Sequence, residues 1–256
     1  TQVKRDEENE TYNGGISARR EKGEAEPGDD YEYVYKQPSL FQRIFFCCNS
    51  PQQAPEPVEV KPKEASLPPK KGLLGPQTGD NIGRICLILD LDETLVHSSF
   101  QEVPGAHFVI PVEMEDKTHK VYVSKRPGAE NFLKVMGEYF EIVVFTASIP
   151  KYADPLLDLL DDTKVISWRL FRDSCTYFKG NYVKDLARMG RDLKKTLIID
   201  NSSASFMFHP EYAIECITWF DDTTDTELNE LAEFLKGMAG VDDVRPPLKQ
   251  WKETHQ

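Results

Sequence analysis

An unbroken apolar run, Ile85-Cys86-Leu87-Ile88-Leu89, empties into Asp90-Leu91-Asp92-Glu93-Thr94. A run of this length bounded by polar residues suits a strand covered on both faces, and in open α/β sheets the ligand crevice lies outside the carboxyl ends of such strands. Side-chain direction repeats every second residue in extended chain, so Asp90 and Asp92 face one side while Leu91 faces away. Two carboxylates so placed suit a nucleophile and an acid/base partner sharing one substrate, with a hard cation between them.

Further apolar runs alternate with amphipathic stretches from Gly83 to about Val244, enough chain for a sizeable core. Strands are expected at about 84–90, 140–145, 165–171, 196–199 and 213–217. Helices are expected from Arg126-Pro127-Gly128 to about Glu138, over Pro150–Leu160, and over Thr224–Met238, where Thr224-x-x-Glu227 reads as a capping box. Phe108–Val112 and Lys120–Val123 alternate apolar and polar residues and predict a short antiparallel pair inserted after the first strand. The predicted architecture is α/β: a mostly parallel, three-layer, Rossmann-like sheet with a small antiparallel insertion, over residues 81–256.

Residues 1–80 are rich in Glu, Lys, Pro, Gln and Gly, lack helix or strand periodicity, and predict an acidic, Pro-rich disordered region. Its apolar island, Leu40 to Cys48, ends in Cys47-Cys48. S-acylation of that pair would tether the protein to a membrane; a short partner-binding or incidental apolar patch is the other reading. The chain carries 31 Lys and Arg against 43 Asp and Glu, a formal net charge of −12. That balance argues against direct nucleic-acid binding, which needs clustered basic residues. Five cysteines, an odd number, in no zinc-ligand spacing point to a reducing compartment. No apolar stretch is long enough to cross a bilayer, and no N-terminal signal segment is present in the sequence as given.

Three covered strands end in polar residues: Asp90/Asp92, Thr146/Ser148 and Asp200/Asn201. Brought to one sheet edge, these carboxylates, hydroxyls and amide make an oxygen-rich site suited to Mg²⁺. No Cys is followed six residues later by Arg, and neither G-x-x-x-x-G-K-[ST] nor G-x-S-x-G occurs. Cysteine-phosphatase, P-loop and serine-elbow chemistries are thereby set aside.

The segments DLDETLVHSS, FTAS, GNYVKDL and LIIDNS occur in order. Together they resemble the haloacid dehalogenase superfamily of aspartate-nucleophile phosphatases, and within it the small phosphatases that act on the C-terminal tail of RNA polymerase II. The resemblance runs from about Gly83 to Val244. It implies that Asp90 attacks phosphorus, that Asp92 acts as general acid and then base, and that Thr146 and Lys184 hold the transferring phosphoryl oxygens. It also implies Mg²⁺ ligands from Asp90, the Asp92 backbone carbonyl and Asn201, with Asp200 in support. A phosphoserine-proline reading pocket is implied at Phe100, Val112, Met114, Ile149 and Tyr152, with Arg172 reaching the substrate. Ser203 stands where such proteins often have proline after the Asp-Asn-Ser turn, and Lys179 keeps a basic residue before Gly-Asn-Tyr.

The implied activity is therefore Mg²⁺-dependent hydrolysis of phosphoserine in Ser-Pro contexts of a partner protein, the polymerase tail foremost, with a nuclear location and a membrane pool if Cys47 and Cys48 are acylated. The competing readings are a phosphatase of other phosphoproteins or of small phosphorylated metabolites, and a membrane-associated scaffold on an inert fold. His97 reads as a structural hydrogen-bonding residue.

Overall fold

The computed structural model describes residues 72–255, so the island at Cys47 and Cys48 lies outside the described residues. In chain order the elements are β1 (Cys86–Leu89), β2 (Val96–Ser99), β3 (Phe108–Met114), β4 (Lys117–Lys125), α1 (Ala129–Tyr139), β5 (Glu141–Phe145), α2 (Pro150–Leu160), β6 (Ile166–Leu170), β7 (Thr176–Phe178), β8 (Asn181–Val183), β9 (Thr196–Asp200), β10 (Ala213–Glu215), α3 (Glu227–Met238) and α4 (Arg245–Thr254). Short 3₁₀ turns connect several of them.

The main sheet has the order β10-β9-β1-β5-β6 and is parallel throughout. Every residue of β1, β5 and β9 is buried, which requires cover on both faces of the sheet and accounts for three continuous apolar runs. Leu89 of β1 is level with Val144 of β5 and Ile199 of β9. Within two residues of that level all three strands end, so the polar residues at and after each strand's end arrive at one edge.

The insertion after β1 is a three-stranded antiparallel sheet, β2-β4-β3. Glu115 and Asp116, with φ of 49° and 59°, close the β3–β4 hairpin in a primed two-residue turn, the kind whose twist matches that of the strands. Ile110, Val112, Val121 and Val123 face inward and join the core, and α2 packs on β3. On α3, Leu228, Leu231, Leu235 and Met238 are buried at the predicted helical spacing, and the helix packs against α1.

Four departures from the sequence reading have physical causes. The packed chain begins before residue 81: Leu74 is buried, and the amides of Leu73 and Leu74 donate to Arg188 O and Met189 O at 2.8 and 3.2 Å. This needs Gly72 against Gly190, where an added Cβ would stand 2.7 Å from the Gly190 Cα. Thr224 is not a helix cap; its amide and hydroxyl both bond the Asp222 carboxylate, Thr226 occupies the cap position, and Glu227 is drawn away to Arg126. The β7–β8 hairpin has strands of three residues, too short to show a period. Helix α4 opens on Pro246-Pro247, tolerated in a first turn where the missing N–H groups have no partner to lose.

Arg126 ties the sheet's carboxyl edge together. Its buried guanidinium donates to Asp225 at 2.8 and 2.7 Å, to Glu227 at 2.7 Å, and to the carbonyls of Thr94 and Ile217 at 3.2 and 3.1 Å. The loop after Asp92, the segment after β10 and the start of α3 are thereby fixed to one side chain.

Candidate active site

The Asp90–Thr94 loop is built by backbone bonds. Asp90 N donates to Ile199 O at 3.0 Å, which continues the β1–β9 ladder one residue past the strand. Leu95 N and Val96 N both return to Leu91 O, at 2.9 and 3.2 Å, and Glu93 takes a left-handed φ of 59° to make the reversal. The turn leaves Asp90 and Asp92 side by side, 7% and 6% exposed, at the floor of a cavity of about 410 Å³.

Lys184 enters from the other side, carried by the β7–β8 hairpin and anchored by its amide to Ser205 O at 2.7 Å. Its ammonium donates to Asp90 Oδ1 and, at 2.6 Å, to Asp200 Oδ2, and the side chain is 1% exposed. Asp200 accepts a second bond from Ser202 N at 2.8 Å, so it holds the lysine in place while its other oxygen fixes the turn after β9.

Asp92 is held by hydroxyls. Tyr152 donates to Oδ1 at 2.8 Å, while Ser148 and Thr146 donate to Oδ2 at 2.7 and 3.3 Å. Ser148 N donates to Thr146 Oγ1 at 3.0 Å, and Ser98 Oγ contacts the Tyr152 hydroxyl, so the donors are themselves oriented. Burial, and then the Asp92 charge, push the Tyr152 hydroxyl well above its ordinary pKa, so it stays protonated and remains a donor.

Two opposed influences act on each acid. Burial raises Asp90 above the ordinary carboxylate range, the Lys184 ammonium pulls it back, and the Asp200 charge raises it again. Asp92 is pushed up to about 6, first by burial and then by Glu93, with its three hydroxyl partners opposing. Lys184, flanked by two carboxylates, is raised despite its burial and keeps its proton.

Asp90, Asp92, Glu93, Asp200 and Glu215 line this cavity, with Lys184 as its one basic residue. Such a wall repels a phosphate dianion unless a further cation is present. Among the described residues, no group of three or more His, Cys, Asp or Glu forms a metal cluster. The donor set expected here is of another kind: one carboxylate, one backbone carbonyl and one amide oxygen. Asn201 lines the cavity, with Thr94 donating to its Oδ1 over a long 3.4 Å and its Nδ2 donating to Thr218 at 3.2 Å. Hard oxygen donors in a wall of excess negative charge fit Mg²⁺.

The structure brings together Asp90, Asp92, Thr146, Lys184, Asp200 and Asn201, all of them lining the cavity. The hydroxyl of Thr146 is directed at Asp92. None of Phe100, Val112, Met114, Ile149, Tyr152 and Arg172 lines it. Val112 and Tyr152 are buried: Val112 packs in the core of the insertion, and the Tyr152 hydroxyl donates to Asp92. Phe100, Met114 and Ile149 are half-buried against the core. Arg172 donates to Ala147 O at 2.5 Å and lies 5.2 Å from the Tyr182 ring centroid.

Residues 85–245 match the family model described as NLI interacting factor-like phosphatase, and every cavity-lining residue falls within that span. The chain belongs to the NLI interacting factor-like phosphatases. Within this family it is 55% identical to human carboxy-terminal domain RNA polymerase II polypeptide A small phosphatase 2, over 70% of this chain and 66% of that one. Mouse CTD small phosphatase-like protein is 48% identical over 78% of this chain and 80% of the relative. The Drosophila melanogaster phosphatase Herzog is 52% identical over 70% of this chain and 51% of its own length. A solved structure of the fission yeast RNA polymerase II CTD phosphatase Fcp1 is a distant likeness, with 20% identity and a TM-score of 0.45 over 67% of this chain and 55% of that one.

Ser148, named above only as a strand-end residue with no role, also lines this cavity, as do Glu93, Glu215, Thr218 and Phe220, for which the sequence suggested no site role. Ser148 carried a signal, because it stands two residues after Thr146 at the same strand end and so shares its side. Glu215, Thr218 and Phe220 follow the edge strand β10 and have no local pattern that marks them.

Proposed function

We propose that this protein is a Mg²⁺-dependent phosphoprotein phosphatase that hydrolyses phosphoserine in Ser-Pro contexts, the RNA polymerase II C-terminal tail foremost, through an aspartyl-phosphate on Asp90. The observation that carries the reading is the pairing of Asp90 with Lys184 at the cavity floor, two residues from an acid held by three hydroxyls. Relatives named as polymerase-tail phosphatases support the substrate class, and a substrate on the polymerase implies a nuclear location.

An Asp90 oxygen attacks phosphorus, and the bond to the seryl oxygen breaks. Asp92, its pKa raised to about 6 chiefly by burial, gives its proton to that leaving oxygen. The same carboxylate then takes a proton from water, which attacks the phosphorus of the acyl phosphate, releases inorganic phosphate and restores Asp90. Lys184 opposes the upward pull of burial on the Asp90 pKa and offsets charge on the transferring oxygens. Held by Asp90, the Asp92 carbonyl and Asn201, Mg²⁺ would neutralise the repulsion between nucleophile and phosphate dianion. The small insertion leaves the cavity open to an extended chain, which favours a protein substrate over a small metabolite.

Phosphate release from a phosphoserine-proline heptapeptide tests this. Turnover that needs Mg²⁺, stops with chelator, and exceeds that of sugar phosphates by about tenfold or more is expected. Equal rates with chelator, or preference for sugar phosphates, would contradict it.

A further inference from the structure

Ten large apolar residues are exposed among the described residues, and four of them fall in two short segments: Tyr177 (59%), Phe178 (39%), Met207 (42%) and Phe208 (37%). Single exposed apolar residues are ordinary, but a cluster is not. Phe178 and Phe208 join the segments, with ring centroids 5.3 Å apart at 67°, and Tyr177 meets Tyr182 across the hairpin at 5.3 Å and 61°. Lys179 and Gly180, with φ of 48° and 85°, close that hairpin in a primed turn and hold the rings outward on a rigid support. The ring pairs account for the order of the patch and leave its outer surface in water.

Its position is what gives it meaning. Both segments run straight into the active-site wall: β8 leads to Lys184, and Ser203, Ala204 and Ser205 line the cavity just before Met207 and Phe208. Three peptide units separate Ser205 from Phe208, so their Cα atoms are no more than about 11 Å apart, a distance that three or four residues of extended chain would span. Charge agrees. From Phe171 to Arg188, leaving aside Lys184, which is buried against Asp90 and Asp200, the basic residues are Arg172, Lys179 and Arg188 against Asp173 and Asp185, a small local positive surplus in a chain of net −12. A surplus of that sign favours a phosphorylated chain.

We propose that the β7–β8 hairpin together with Met207 and Phe208 is a second docking surface, which receives the extended stretch of the phosphoprotein lying three or more residues from the phosphoserine and packs its proline or tyrosine side chains on the rings. Aromatic surfaces of this kind bind proline-rich chain with little ordering cost, because such chain is already extended. The proposal rests on the phosphoprotein-phosphatase reading, and adds that substrate length matters on this side of the site.

The test compares three substrates on the full chain with Mg²⁺: para-nitrophenyl phosphate, a phosphoserine-proline peptide with one further residue on each side, and the same peptide with six on each side. The wild type should favour the long peptide over the short one by about tenfold in kcat/KM. Phe178→Ala with Phe208→Ala should abolish that preference through KM and leave para-nitrophenyl phosphate turnover unchanged. Tyr177→Ala, at the most exposed ring, should weaken it independently. Equal kcat/KM for the two peptides on the wild type, or a full length preference in both variants, overturns the docking surface while the phosphatase reading stands. If the wild type turns over none of the three substrates, the phosphatase reading falls and takes the docking surface with it.

Discussion

The two ends of the central sheet each bury an ion pair, and they are built to opposite specifications. At the amino end, Glu141 at the start of β5 accepts Arg191 through both oxygens at 2.7 Å, with Gln77 at 2.8 Å and Trp168 at 3.0 Å completing the set. Four donors meet one carboxylate, and a single guanidinium balances its charge. Burial raises the Glu141 pKa, but the Arg191, Gln77 and Trp168 hydrogen bonds and the Arg191 charge outweigh it, and the net shift is downward. At the carboxyl end, one ammonium serves both Asp90 and Asp200, with Asp92 and Glu93 close by, and Asp90 and Asp92 stay raised. A pair that only holds the fold is closed and neutral. The other end keeps an excess of negative charge facing a cavity, and is completed by what it binds.

Exchanging each acid for its amide gives the sharpest break between the ends. Asp90→Asn should lower turnover by at least about a thousand-fold, because the amide is a poor nucleophile, with little change in Tm since Lys184 keeps Asp200. Glu141→Gln should do the reverse: activity persists at moderate temperature, while Arg191 loses its charge partner at a cost of about 3 kcal/mol, or ~6–12 °C in Tm. Thermal melts beside phosphate-release assays check both. A stable, active Glu141→Gln protein would erase the distinction.

A smaller effect comes from Ser148→Ala. Its hydroxyl lowers the Asp92 pKa, so its removal should raise that pKa further. In the proposed mechanism Asp92 must be protonated to donate to the leaving oxygen. The alkaline limb of kcat/KM against pH should therefore move upward, and an unmoved limb would place the proton donor elsewhere.

The least of these effects is acid sensitivity at the amino end. A carboxyl whose folded pKa lies below its unfolded value near 4.5 stabilises fully above that value and loses the contribution as pH falls through the folded pKa. Denaturant midpoints should drop below about pH 4.5 in the wild type, and less steeply in Glu141→Gln. Equal slopes would show that the pair is not sensed by folding.

The same contrast explains what could be read without a structure. Strands β1, β5 and β9 were legible because cover on both faces leaves no polar alternation, and their polar ends were legible because parallel register must collect them at one edge. Asp200 and Lys184 could be matched by motif, which left open whether Asp200 acts through water or by orienting Lys184; the direct salt bridge depends on where the hairpin re-enters. Tyr152 is ambiguous in sequence for a related reason. Its spacing on α2 allows a pocket wall or an inward hydroxyl, and only the contact with Ser98 and Asp92 decides. Thr224 was misassigned because Asp222 offers it a nearer acceptor than the helix does, and Glu227 is claimed by Arg126 from about a hundred residues away in sequence.

The central claim is that phosphorus passes through Asp90. Rapid acid quenching of Mg²⁺-loaded protein during turnover of a ³²P-phosphoserine peptide, followed by peptide mapping, tests it directly. The account predicts a transient, hydroxylamine-sensitive label on the peptide bearing Asp90, absent in Asp90→Asn. Turnover with no protein-bound label at any time, or a label on another residue, would contradict it.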